Sequence, residues 1–324
     1  MIRLFKIWTA ACAVALVAAC GGSDDPAPGT VAAEASARGF TALVAAADKA
    51  GLVPALSADT SSLTVFAPTD AAFNSLATTL GFASASAMVI ALDGPTLAKI
   101  LQYHVLPTKK LAADLVAAGA TSAQPTLYSF EGAATTLAVN TAAGVKITDE
   151  VLTQATVTTA DVAASNGVIH VIDKVLVPPG VFDVVQMAKL NPAFSVLVEA
   201  VAAANLATTL SSAGPFTVFA PTNDAFTAAL GELNLSKAQL LASPGLDDIL
   251  KYHVVAGNVR AAAVAALPKP AAVTTVQGTA FTVGTTLAIT DGRARTANLV
   301  ATDLIASNGV IHVIDKVLLP AVAP

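Results

Sequence analysis

Apolar positions along this chain follow two periods, and the periods alternate in the same order twice. Phe40, Leu43, Val44 and Ala47 stand at i, i+3, i+4 and i+7, the spacing of one helix face, and Gly51 follows as a stop. Phe194, Leu197, Val198 and Val201 repeat that spacing after Asn191-Pro192, which supply an N-cap and a first-turn proline. Next comes a short run of β-branched and aromatic residues, Thr64 to Ala67, which predicts a strand. Pro68 has no N–H for a ladder and ends it. Thr69 then stands where a helix N-cap belongs, with Asp70 in the first turn and Phe73 and Leu76 facing inward. The second copy reads Thr222, Asn223, Asp224, Phe226 and Leu230.

Residues 97–103 and 246–252 predict amphipathic helices, each running into Tyr-His-Val at 103–105 and 252–254. The last third of each copy is rich in Thr and Val and predicts sheet. Asn166-Gly167 predicts a two-residue hairpin turn with positive φ at both positions. The strand after it, 168–172, is apolar with His170 inside, as expected of a strand covered on both faces. The whole pattern predicts an α+β domain with helices packed on a mostly antiparallel sheet.

The repetition is literal in places. Residues 165–176 recur letter for letter as 307–318, and Thr-Val-Phe-Ala-Pro-Thr occurs at 64–69 and 217–222. A period this long marks a duplicated domain, not a solenoid repeat of roughly 20–50 residues. Pro178-Pro179-Gly180 separates the copies, giving domains over 38–179 and 181–322. Each copy, at roughly 140 residues, can bury a core of its own.

The N-terminus reads as an address. Arg3 and Lys6 precede an apolar run too short for a span of roughly 20 residues. The run ends in Val17-Ala18-Ala19-Cys20, which resembles the bacterial lipobox, with 1–19 as signal peptide and Cys20 as the lipidated residue. Gly21 rather than Asp at the next position implies release to the outer membrane, on its periplasmic or its outward face. Residues 20–37 are rich in Gly, Ser, Asp, Pro and Ala and predict a flexible tether. Cys12 and Cys20 are the only cysteines, so the domains carry no thiol for a disulfide, a metal or a nucleophile. The net charge is −5, more negative still without Arg3 and Lys6, and no basic cluster is present; nucleic acid is a poor partner.

These landmarks together resemble the fasciclin domain. The likeness rests on three boxes present in both copies: 64–73 and 217–226, Tyr103-His104 and Tyr252-His253, and 166–178 and 308–320. The resemblance implies two tandem domains, each a β-wedge with packed helices, and a non-enzymatic adhesion or matrix role through protein or glycan contacts at the cell envelope. In animal members an Asp-Ile pair before the last box and the Tyr-His region are assigned to integrin binding. Here Asp161 and Asp303 match the first position, while Val162 and Leu304 replace the Ile. The resemblance therefore implies a possible contact surface of Tyr103, His104, Asp161, Tyr252, His253 and Asp303, without naming the partner. The Tyr-His pairs end a helix and enter a loop, a place where side chains can reach solvent; the alternative is that Tyr and His hydrogen-bond the helix end.

The four histidines, His104, His170, His253 and His312, invite a metal or acid–base reading. No His-x-x-x-His, no clustered carboxylates and no thiol accompany them, and a metal site needs three or four ligands. A histidine inside an apolar strand is more often a core residue with both ring nitrogens bonded. Neither metal nor other cofactor is expected, and no catalytic residue is assigned. The leading reading is a lipid-anchored adhesion or interaction protein. The alternative is a periplasmic binding protein for a small apolar or lipid-like ligand, held between sheet and helices.

Overall fold

A computed structural model describes residues 27–321; the expected signal peptide and Cys20 lie outside the described residues. The first domain runs α1 (Val31–Ala37), α2 (Thr41–Lys49), α3 (Val53–Leu56), β1 (Leu63–Pro68), α4 (Asp70–Leu80), α5 (Ala85–Ala91), α6 (Gly94–Tyr103) and β2 (Val105–Leu106). It continues through α7 (Ala112–Ala117), β3 (Thr121–Phe130), β4 (Ala133–Asn140), β5 (Lys146–Thr148), β6 (Gln154–Ala164) and β7 (Gly167–Ile172). The second domain opens with α8 (Val184–Leu190), a 3-10 turn at Pro192–Phe194, α9 (Ser195–Ala203), α10 (Ala207–Leu210) and β8 (Phe216–Pro221). Then come α11 (Asn223–Leu233), α12 (Lys237–Leu241), α13 (Leu246–Tyr252), β9 (Val254–Ala256) and α14 (Ala261–Ala266). Strands β10 (Ala271–Thr274), β11 (Ala280–Val283), β12 (Ile289–Thr290), β13 (Thr296–Ala297), β14 (Leu299–Ala306) and β15 (Gly309–Ile314) complete it.

In the first domain seven strands form one sheet in the order β2-β1-β7-β6-β5-β4-β3, and β3 packs back against β2, so the sheet bends into a nearly closed wedge. All neighbours are antiparallel except β1 and β7, which run parallel. In the second domain the same path is divided into sheets β10-β11-β12-β13 and β14-β15-β8-β9, because the long strand equivalent to β6 breaks between β13 and β14. The α+β architecture expected from the apolar pattern is therefore present in both copies. No single helix among the described residues is long and apolar enough to cross a membrane.

The helix starts follow the caps read from the sequence. Thr69 and Thr222 accept from the N–H groups of Ala72 and Ala225. Asp70 accepts from the hydroxyl of Thr41 and the N–H of Ala42, so it ties the start of α4 to the start of α2. Asn223 does the same work for α11 and α9 through Val196, Pro192 and Ser195. Thr69 and Asp70 thus form a strand-to-helix corner.

Two expectations need correction. The expected tether extends too far: Val31–Ala37 is a helix capped by Thr30 and docked on the first domain. The N–H of Val31 donates to the Asn166 side chain and that of Ser165 to the Gly29 carbonyl. Asn166-Gly167 is also not the pair with two positive φ angles. Ala164 pairs with Gly167, so Ser165-Asn166 forms the two-residue loop, and Asn166 is absent from the positive-φ residues. Asn166 is instead 2% exposed, and its amide holds the carbonyls of Leu56 and Ala58. Gly167 is required for contact: a Cβ there would lie 2.3 Å from the Leu63 carbonyl oxygen of the parallel neighbour β1.

Candidate functional site

The residues singled out by the sequence fall into a buried set and a pair that reaches solvent. Tyr103, His104, Tyr252 and His253 are 2%, 1%, 0% and 2% exposed, so they do not reach solvent, and the alternative of bonding at the helix end holds for the histidines. Each Tyr is the last residue of its helix and points into the wedge, where the ring packs edge-on against Tyr128 or Phe281. The hydroxyls donate to the carbonyls of Thr136 and Ala280. Burial raises the pKa of both phenols.

Each following His cross-links a helix end to the chain after the last strand. His104 Nδ1 lies 2.8 Å from the Ile100 carbonyl, which can only accept, so Nδ1 carries the proton. Its Nε2 accepts from the N–H of Leu176 at 2.8 Å. His253 repeats both bonds with Ile249 and Leu318. Burial, with no partner for a second ring proton, pushes both imidazoles down to about 4. They are neutral fasteners at physiological pH.

His170 and His312 lie inside the central strands, stacked beside Phe66 and Phe219. Nε2 of each donates to a carbonyl, of Lys110 or Val259, at 2.9 Å, and Nδ1 accepts from the N–H of Asp161 or Asp303. Burial pushes His312 down.

Asp161 is exposed and Asp303 half-buried, with side chains 42% and 32% accessible, and both carboxylates reach solvent. Both have positive φ, 58° and 60°, within irregular stretches where the strand slips register against its hairpin partner. The slip turns the N–H toward histidine and the carboxylate outward, where it accepts from the first N–H of α7 or α14, on Ala112 or Ala261. The structure therefore brings Asp161 and Asp303 each beside a strand histidine, and separates both from the Tyr-His pairs.

Sequence reasoning passed over Asp149 and Asp291. Asp149, 4% exposed, takes the Lys174 ammonium, the N–H of Val177 and both donors of Thr153. Asp291 takes the N–H of Leu319, Arg293 and Arg295 and the Arg295 guanidinium. Burial alone would raise its pKa, but these donors outweigh it and hold the carboxyl below its ordinary range. The signal was available: Ile-Thr-Asp occurs at 147–149 and 289–291. Among the described residues no group of three or more His, Cys, Asp or Glu side chains is placed to hold a metal ion.

The copies are joined by polar contacts at the edge of the second domain's sheet. Gly180 N–H, in the linker, donates to the Ile305 carbonyl at 2.9 Å. Asn191 donates to the Val151 carbonyl, and Arg260 forms a two-pronged ion pair with Glu131 at 2.9 and 2.6 Å. Within the first domain, Tyr128 donates to the Pro179 carbonyl beside the linker glycine.

Comparison with known proteins agrees with this architecture. The fasciclin domain model matches residues 38–178 and 192–320, and the chain belongs to the fasciclin domain family. Protein sll1483 of Synechocystis is 44% identical over 143 residues, covering 42% of this chain and 73% of that protein. Transforming growth factor-beta-induced protein ig-h3 of Sus scrofa is 35% identical over 165 residues, 50% of this chain but 22% of the relative. A solved FAS1 domain pair from the insect cell adhesion molecule Fasciclin I covers 89% of this chain and 98% of its own, at 20% identity and a TM-score of 0.46.

Proposed function

We propose that this chain is an adhesion or interaction protein of the cell envelope, anchored to the outer membrane by lipid on Cys20, that holds protein or glycan partners through both domains. The observation that supports this reading most is the presentation of two equivalent solvent-reaching corners, at Asp161 and Asp303, on domains tied together by the junction. Two weak contacts on one body raise avidity by roughly 10²–10⁴ when both engage. Membership of the fasciclin domain family points the same way.

The test is attachment of protein-coated particles to envelope preparations with Asp161→Asn, Asp303→Asn and the pair. Asn keeps the acceptor that caps α7 or α14 and removes the charge. Each single change should weaken attachment in part, and the pair much more than additively. Unchanged attachment by the folded double variant rejects these corners as the contact surface.

A further inference from the structure

The duplication exposes a difference between the copies that adhesion does not require. Helix α1 closes the helical side of the first domain as α8 closes that of the second. The N–H of Val31 donates to Asn166, and that of Val184 to Asn308, so the two helices are docked by the same bond. Beneath α8 the space is filled, leaving about 30 Å³. Beneath α1 there is a cavity of about 360 Å³. Two substitutions contribute to it. Counting from the paired valines, Ala32 stands where α8 has Val185; counting from Phe40 and Phe194, Ala47 stands where α9 has Val201. All four residues line their cavities.

We infer that the first domain binds one aliphatic chain with an uncharged polar end in this cavity, with α1 as its cover. The size falls in the range of ligand sites, roughly 300–1,000 Å³, and well above the dry voids of a packed core. The walls are otherwise aliphatic, with Leu43, Leu56, Leu101 and Ile169 among them, and among the described residues no Phe, Tyr or Trp lies there to stack on a planar ligand. His104 is at the wall, but its two ring nitrogens are held by Ile100 and Leu176, so it offers no free polar atom. Among the described residues no Lys, Arg, Asp or Glu lines the space, and a charged ligand end would be stripped of water without a partner. Hydroxyls of Thr30, Ser36 and Ser57 stand at the margin, on residues only partly buried or exposed, and suit an alcohol or ester end. Taking the roughly 30 Å³ of a liquid water as the share of one methylene, the space holds on the order of ten carbons.

Helix α1 is covered on fewer sides than α8. The inward residues Val31 and Ala35 are buried, as are Val184 and Ala188. On the other face, α8 carries Met187 and Leu190, both buried, and packs on α4 of the first domain. At the matching places α1 carries Glu34 and Ala37, and Ala37 is exposed. Among the described residues, one side of α1 therefore lacks the packing that fixes α8.

The test uses the full chain with Cys20→Ala, so that no acyl group can be attached there, and 1-decanol as probe. Methyl NMR and calorimetric titration should show one decanol per chain, with shifts at Leu101 and Ile169 and none at Leu250 and Ile311. Ala32→Val with Ala47→Val should weaken binding by about tenfold or more while the melting temperature holds or rises. Should the double substitution unfold the domain, the positions of the shifts still decide. No binding, shifts spread over both domains, or undiminished binding by the folded double variant would overturn the inference.

Discussion

Glu150 of the first domain accepts a hydrogen bond from the backbone N–H of Ile305 in the second, at 2.6 Å. Ile305 lies on β14, the edge strand of its sheet, and its carbonyl is taken by Gly180. The first domain and the linker thus satisfy both backbone groups of an edge residue that would otherwise stay open to another strand. Burial pushes the Glu150 carboxyl up to about 7; Asp149 and Asp303 add to the rise, and the Ile305 N–H and Arg260 oppose it.

This carboxyl makes the fold sensitive to pH. A carboxyl whose pKa is raised in the folded chain favours that state while it stays protonated. That contribution is complete below the ordinary value near 4.5 and is lost as pH rises through about 7. Urea midpoints of the unaltered chain should therefore fall between pH 5.5 and pH 8. Glu150→Gln, uncharged at both, should lack that part of the slope.

Gly167 and Gly309 are predicted to tolerate no side chain. A Cβ would lie 2.3 Å from the Leu63 oxygen in one copy and 2.0 Å from the Phe216 oxygen in the other. Those oxygens belong to parallel neighbours of the central strands and have nowhere to go. Alanine at either position should cost about 3 kcal/mol in urea unfolding. Gly231→Ala, in an exposed helical position with nothing within 4 Å, should instead stabilise by about 0.5–1 kcal/mol.

Which features were legible follows from how local they are. The caps at Thr69 and Thr222 and the strands they follow depend on a few adjacent residues, and the pattern carries them. The two-residue loop at Ser165-Asn166 depends on which residues pair across the hairpin. Asn-Gly fits a turn by local preference, but packing against Leu63 claimed the glycine and docking of α1 claimed the asparagine. The burial of Tyr103 and His104 was set by β3, β4 and the segment after β7, far away in sequence. Helix α1 was obscured by its small-residue composition, although its match to α8 through Val31 and Val184 was present in the duplication.

The anchor is tested by Cys20→Ala. Labelling with a fatty-acid probe should mark the unaltered chain and leave the variant unmarked and released from membranes. Label on the variant, or an unaltered chain recovered wholly soluble, rejects lipid attachment at this residue.

The helix-end histidines give the last prediction. His104→Ala leaves the Ile100 carbonyl and the Leu176 N–H without their partner, and His253→Ala does the same to Ile249 and Leu318. Each should destabilise its own domain by about 1–3 kcal/mol, seen as a lowered melting transition. Both imidazoles are held down to about 4 by burial, because the charged form would place a second N–H against a backbone N–H. A base depressed in the folded state contributes stability above its ordinary value near 6.5, and that stability is lost as pH falls toward about 4. Urea midpoints should therefore fall between pH 6.5 and pH 4 in the unaltered chain. In the variant with both histidines replaced by Gln, that part of the slope should be missing. An unchanged slope would show that other groups carry the acid sensitivity.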